Sequence, residues 1–205
     1  MSWLDALAAG RGRAVLVPGG GPFADGVRAA QRRWRFDDST AHRLALLAME
    51  QYGLMLAGMC PRDLRPASSR AEIARIRRAG LVPVWLPSRM ALGRPEIPES
   101  WDVTSDSLAA WLAGAIRAER LVLIKSVETP YDGLTAADLA RQGIVDPLFP
   151  DFLARCDADC HCIGAGRQAE LADALRSGTA AGARIARPPG DVTLCGDRRG
   201  RRIRE

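Results

Sequence analysis

The sequence predicts an α/β fold, a mostly parallel sheet with helices on both faces. Three observations carry this. Residues 14–17 form an apolar run that closes on Pro18 and Gly19-Gly20-Gly21 before a helical segment, which is the order strand, glycine turn, helix. The order of helix and apolar run then recurs to the end of the chain, and capping residues stand in front of several of the helices. Alternation of this kind builds parallel strands joined by helices. With 205 residues, 47% hydrophobic and 26% charged, one domain is long enough to bury roughly 70% of its extended surface without a disulfide or metal staple.

The first helix after the glycines runs from about 22 to 34, with Pro22 suited to a first helical position because its missing N–H costs nothing there. Asp37-Asp38-Ser39-Thr40 offers caps for a second helix over 41–58, apolar on nearly every face from Leu44 onward. Such a helix is expected to be buried or to pair with a second copy. Ser69 with Glu72 makes a capping box for a helix ending at Gly80, and 81–86 follows as a strand. After a loop rich in proline (Pro87, Pro95, Pro98), the segment 101–107 leads into a helix to about 118, and 121–125 is the next strand. Thr135 with Asp138 caps another helix, 147–155 makes one more, 158–163 is a strand and 167–176 a helix. The domain is expected to span 1–187, with 188–205 a flexible tail rich in Arg, Pro and Gly.

The net charge is +5, of which the tail supplies +2, and the rest is spread over helices that also carry acids. With no basic face interleaved with aromatics, nucleic acid is not the expected partner. No apolar run approaches the ~20 residues of a membrane helix, and no signal-like stretch opens the chain, so a cytoplasmic protein without a membrane partner is expected. Cysteine is used five times, an odd number that argues against a disulfide framework.

Parallel sheets place ligands at the carboxyl ends of their strands, which draws attention to the residues after 17, 86, 125 and 163. Gly19, Gly20 and Gly21 let backbone N–H groups approach an anion while the helix behind adds its positive end, so a phosphate suits them. A tight turn of three glycines is the plainer reading, since neither a dinucleotide nor a P-loop spacing is present. Asp102 and Asp106 flank Thr104 and Ser105 at a helix start, as capping residues or as two carboxylates and two hydroxyls of a site. Lys125 is the only lysine among 29 basic residues and ends an apolar strand, where a compact mobile charge is chemically distinct from arginine. His42 sits in the first turn of the long helix, free either to finish the cap or to face a ligand. Cys156, Cys160, His161 and Cys162 hold enough donors for zinc in number, but their spacing matches no defined site, and alternation along a strand makes Cys160 and Cys162 core residues. No metal site is expected there. The five tryptophans read as core by default, and Trp101, beside Asp102, is the one candidate among them for stacking on a ring.

Taken together, V-L-V-P-G-G-G-P-F-A at 15–24, W-D-V-T-S-D-S at 101–107 and L-V-L-I-K-S-V at 121–127 resemble the amino acid kinase superfamily in order and separation. Within it the chain is most similar to the small aspartokinase-like kinases of methanofuran biosynthesis, over Trp3 to about Ile185. The resemblance implies a three-layer sandwich and ATP- and Mg²⁺-dependent transfer to a small phosphorylated acceptor, aminomethylfuran methyl phosphate going to its diphosphate; the apolar helix over 41–58 is where a homodimer is expected to form. It implies that Gly19, Gly20 and Gly21 hold the acceptor region and that Asp106 orients the catalytic cations. It places Asp102, Thr104 and Ser105 along the same crevice, His42 and Arg43 on the helix bordering the acceptor, and Lys125, Asp132 and Gly133 on the nucleotide side.

One departure stands out. The superfamily begins with a strand carrying Lys-x-Gly-Gly, whereas this chain opens on the following helix at Ser2-Trp3-Leu4, so the fold is expected to lack its first strand. Loss of one preorganised charge-stabilising group typically costs ~100- to 1000-fold in rate. The competing expectation is therefore a non-catalytic nucleotide- or anion-binding subunit on the same scaffold.

Overall fold

Ser2 opens α1 (Trp3–Ala8) with a reciprocal capping box, its hydroxyl accepting the Asp5 N–H while the Asp5 carboxylate accepts the Ser2 N–H at 2.8 Å. The computed structural model describes residues 2–126 and 133–186; the expectations for Asp132 and for the 188–205 tail lie outside them. α2 (Gly21–Trp34) carries its proline at the start, as expected, and stops at Arg35 in the left-handed region. α3 (Asp38–Met59) is capped by the Asp37 side chain, which accepts the Thr40 N–H at 2.6 Å. β1 (Leu64–Ala67), α4 (Arg70–Arg78), β2 (Val82–Trp85) and the short α5 (Ser88–Ala91) follow. The second half runs α6 (Ser105–Ile116), β3 (Arg120–Ile124), α7 (Ala136–Arg141), α8 (Phe149–Ala154), β4 (Asp159–Ile163), α9 (Gln168–Ser177) and β5 (Ala183–Arg184). The caps read from the sequence at Ser69 and Thr135 both form.

The sheet comes in two pieces. β1 and β2 pair in parallel with Leu64 opposite Val82, and β3 and β4 pair in parallel with Arg120 opposite Asp159. β5 returns antiparallel to β4. The run 14–17 is a correction to the expected strand: it reduces to one parallel bridge, Leu16 N–H to Pro83 O and Trp85 N–H to Leu16 O, both 2.8 Å. Its other edge finds no ladder partner among the described residues, and neither does the outer edge of β3. β1 escaped the sequence reading because Pro66 argues against a strand; it is tolerated because β1 is an edge.

Side-chain parity sorts the core into two layers. Leu121, Leu123, Cys160, Cys162 and Trp85 face one cluster with Leu108, Leu112, Leu139 and Phe149 from α6, α7 and α8. Val82, Val84, Ile163 and Val122 face the other, with Ala6 and Leu7 of α1 and Leu171 of α9. Helices thus cover both faces, and the strand period of two decides which residue meets which layer. The cysteines of β4 are core residues, and among the described residues no three His, Cys, Asp or Glu side chains gather to hold a metal. Nor is any described helix long and apolar enough to cross a membrane.

Candidate active site

The glycine turn is required by packing. A Cβ on Gly20 would stand 2.3 Å from the Cβ of Ala24, and Gly21 has φ +50° with the Tyr52 ring of α3 at 3.0 Å from its missing Cβ. The amino end of α2 therefore lies bare against α3, with no side chain capping it. Unfilled N–H groups and the helix dipole make such an end attractive to anions.

Between α2, α3 and the start of α6 lies a cavity of about 230 Å³. Gly20, Gly21, His42, Thr104 and Ser105, all singled out in the sequence, line it, and Gly19 adjoins it, its missing Cβ 3.9 Å from Ser105 Oγ. Leu46, Met49, Val103 and Leu108 supply apolar wall. His42 is buried, and burial holds its pKa below the usual imidazole value against the opposing pull of Glu99 and of the Ser100 backbone. The imidazole is thus a neutral group. Trp101 lines the cavity too, its Nε1–H on Gln31 Oε1 at 2.6 Å and the Arg28 guanidinium 4.5 Å above its ring. Arg28 and Gln31 were not legible as site residues: their only signal is their place on α2, seven and ten residues past Gly21. Arg43 and Asp102 are exposed and lie outside the lining, Asp102 turning to Ser100 Oγ at 3.4 Å.

The residue after Ser105 points elsewhere. Asp106 meets Lys125, at the exit of β3, with Nζ 2.8 Å from each carboxylate oxygen. Both side chains are largely buried, 16% and 15% exposed. Burial raises the Asp106 pKa; Lys125 pulls it down and the Asp146 carboxylate adds to the rise. Beneath the pair, burial pushes the Cys162 thiol up to about 11, Lys125 opposing and Asp106 reinforcing, so it stays protonated and inert. Gly133 is exposed, with φ +79° and open space where a Cβ would be; its neighbour Asp132 lies outside the described residues.

The cap of α6 was missed in the sequence. Thr104 stands at the N-cap but its side chain caps nothing. Asp146, about forty residues further on and buried, accepts the Thr104 N–H at 2.9 Å, the Thr104 hydroxyl at 3.0 Å, the Ser107 N–H at 3.0 Å and the Ser107 hydroxyl. The available signal was negative: Ser107 occupies the third helical position, where a Glu or Gln would complete a local capping box.

A glycine-opened helix, a cavity against its end and a lysine–carboxylate pair at the exit of β3 are the features this α/β fold brings to the site. The chain belongs to the amino acid kinase family, whose model matches residues 3–135. It is 24% identical over 170 residues to a [5-(aminomethyl)furan-3-yl]methyl phosphate kinase of Methanocaldococcus jannaschii, covering 78% of each chain. Among solved structures it is similar to the uridylate kinase of Archaeoglobus fulgidus, with a TM-score of 0.67, 17% identity and 90% of each chain covered. The UMP kinase of Bacillus anthracis superposes with a TM-score of 0.60 at 17% identity, over 90% of this chain and 86% of that one. The amino acid kinase fold expected from the motifs is therefore the fold found.

Proposed function

We propose that this chain transfers a phosphoryl group from MgATP to a small phosphorylated acceptor of the aminomethylfuran methyl phosphate type, as a cytoplasmic enzyme. One observation carries the reading: Ser105 lines the cavity while the adjacent Asp106 grips Lys125, so an acceptor pocket and a buried cation share one helical turn. Phosphoryl transfer asks for positioning and charge neutralisation more than covalent help. The N–H groups at Gly19, Gly20 and Gly21 would cradle the acceptor phosphate beside the bare end of α2. His42, Thr104 and Ser105 would shape its pocket, whereas Arg43 and Asp102, being exposed, would meet only parts of a ligand outside it. Lys125 and the Asp132-Gly133 loop would take the nucleotide side. The relative's printed substrate supports the acceptor class.

Mg²⁺ fits as an ion carried in on ATP. No resident cluster exists among the described residues, and Mg²⁺ ordinarily takes one or two carboxylates together with substrate phosphates. Asp106 is the part-buried carboxylate in place to orient it, and the ion would neutralise phosphate charge. The test is transfer of labelled phosphate from MgATP to [5-(aminomethyl)furan-3-yl]methyl phosphate, with UMP alongside. Formation of the furan diphosphate alone supports the reading. Nucleotide binding without transfer to either would favour a non-catalytic nucleotide-binding subunit.

We further infer a homodimer through α3. Leu44, Leu47, Leu54, Met55 and Met59, 36–66% exposed, fall on one side of the helix opposite its buried Leu46, Met49 and Gly53. Apolar area of this kind on a helix face marks an interaction surface.

A further inference from the structure

Asp146 has no part in the transfer just described, yet it is tied to the centre of the site. We propose that Asp146 is the positioning residue of the Asp106–Lys125 pair: its carboxylate clamps the first turn of α6 so that Ser105 faces the cavity and Asp106 faces β3. For what the pair is used for, this rests on the kinase reading; the geometry does not.

The clamp is unusual in being complete and remote. An ordinary N-cap is local and satisfies one N–H of the first turn. Here one carboxylate takes the N–H groups and hydroxyls of both Thr104 and Ser107, the residues on either side of Ser105 and Asp106. The segment is tied down further, since Leu148 N–H binds Asp102 O at 3.1 Å and Phe149 N–H binds Asp146 O at 3.1 Å. Pro147 disfavours helical backbone at Asp146. Asp146 is only 7% exposed, and a buried carboxylate needs hydrogen-bond donors around its oxygens. Four donors meet it, three at Oδ2 and one at Oδ1. Removing the carboxylate leaves two backbone N–H groups and two hydroxyls of α6 without partners, and the turn is free to rotate. Because Asp106 and Ser105 are neighbours on that turn, rotation misaims both. A displacement near 1 Å in a group that must meet a reacting phosphate costs about 100-fold in rate.

The chain's single lysine makes the test direct. Lys125 is the only lysine, so lysine-selective ¹³C labelling yields one Cε signal, and that signal reads the pair without nucleotide or acceptor. Asp106→Asn sets its position when the pair is broken. Asp146→Ala is expected to move it at least halfway toward that position. Asp146→Asn, whose amide oxygen still accepts from the Thr104 and Ser107 N–H groups, is expected to stay near wild type, which separates the clamp from the mere charge. Leu139→Ala, a core deletion in α7, is expected to lower the melting temperature without moving the signal. Should Asp146→Ala not fold, Ser107→Ala cuts the clamp from the helix side and is expected to shift the signal in the same direction. The proposal is overturned if the folded Asp146→Ala (or Ser107→Ala in its place) leaves Lys125 unmoved, if Asp146→Asn shifts it as far as Asp146→Ala, or if Leu139→Ala moves it equally. Loss of MgATP binding by the wild type would sink the kinase reading alone, since the Lys125 signal is read without it.

Discussion

Lys125 Nζ lies 2.8 Å from both carboxylate oxygens of Asp106, joining the exit of β3 to the first turn of α6 across nineteen residues of sequence. The ion pair is largely buried, so neither partner is replaced cheaply by water. Asp106→Asn is expected to lower transfer by ~100- to 1000-fold, the usual cost of one preorganised charge-handling group, while circular dichroism stays native. Retained full activity in this variant would remove Asp106 from the site.

The pH profile follows from the same pair. Burial raises the Asp106 pKa, so the group takes up its proton at a higher pH than an ordinary carboxyl, near 3.9. Protonation breaks the pair, and transfer should fail on the acid side above that ordinary value. Lys125→Met removes the cation that pulls the pKa down and is expected to move the acid limb of kcat further up. A limb at or below the ordinary value would contradict the burial.

His42 gives a stability signature of its own. Its folded pKa lies below the unfolded 6.5 because burial disfavours the cation. Between those two values the unfolded chain holds a proton that the folded chain does not. Stability is therefore full above about pH 6.5 and declines as pH falls through it, by at most about 1.4 kcal/mol per pH unit. Denaturant melts from pH 7.5 to 5 should show that slope in the wild type and less of it in His42→Gln. Equal slopes would place the proton uptake elsewhere.

The glycine turn has a steric test. Gly20→Ala puts a methyl 2.3 Å from Ala24 Cβ, and overpacking of this order costs about 1–3 kcal/mol. Thermal unfolding should show the loss, and Ala24→Gly in the same chain should recover most of it. Failure of the second change to help would mean that the turn answers to another constraint.

The α3 stripe predicts assembly. Sedimentation velocity should find a dimer for the wild type and a monomer for Leu47→Glu with Leu54→Glu, both leucines being about half exposed in one chain. A wild type that stays monomeric at high concentration would contradict the pairing.

Local signals were read from the sequence with little loss. Caps at Asp37, Ser69 and Thr135 carry their helices within a few residues, and the alternation of runs and helices gave the parallel, two-faced sheet. What failed depends on partners distant in sequence. Whether 14–17 is a strand turns on a second neighbour that no local pattern encodes, and β1 hides behind Pro66. At the site, Gly20, Gly21, His42, Thr104 and Ser105 were legible because their residue types are unusual where they stand. Arg28 is one arginine of many, and Asp146 reaches α6 from a loop beyond β3 and α7. Asp102 and Arg43 look equivalent to their neighbours Asp106 and His42 in sequence, but the turn of a helix or loop points them outward.

On the proposed reading, the Lys125 side of this site receives MgATP. Titration of the chain with MgATP in a calorimeter measures this without knowledge of the acceptor. Saturable binding to one site per chain is expected, weakened at least tenfold in Lys125→Met. No heat in the wild type, or heat indifferent to the loss of Lys125, would contradict it.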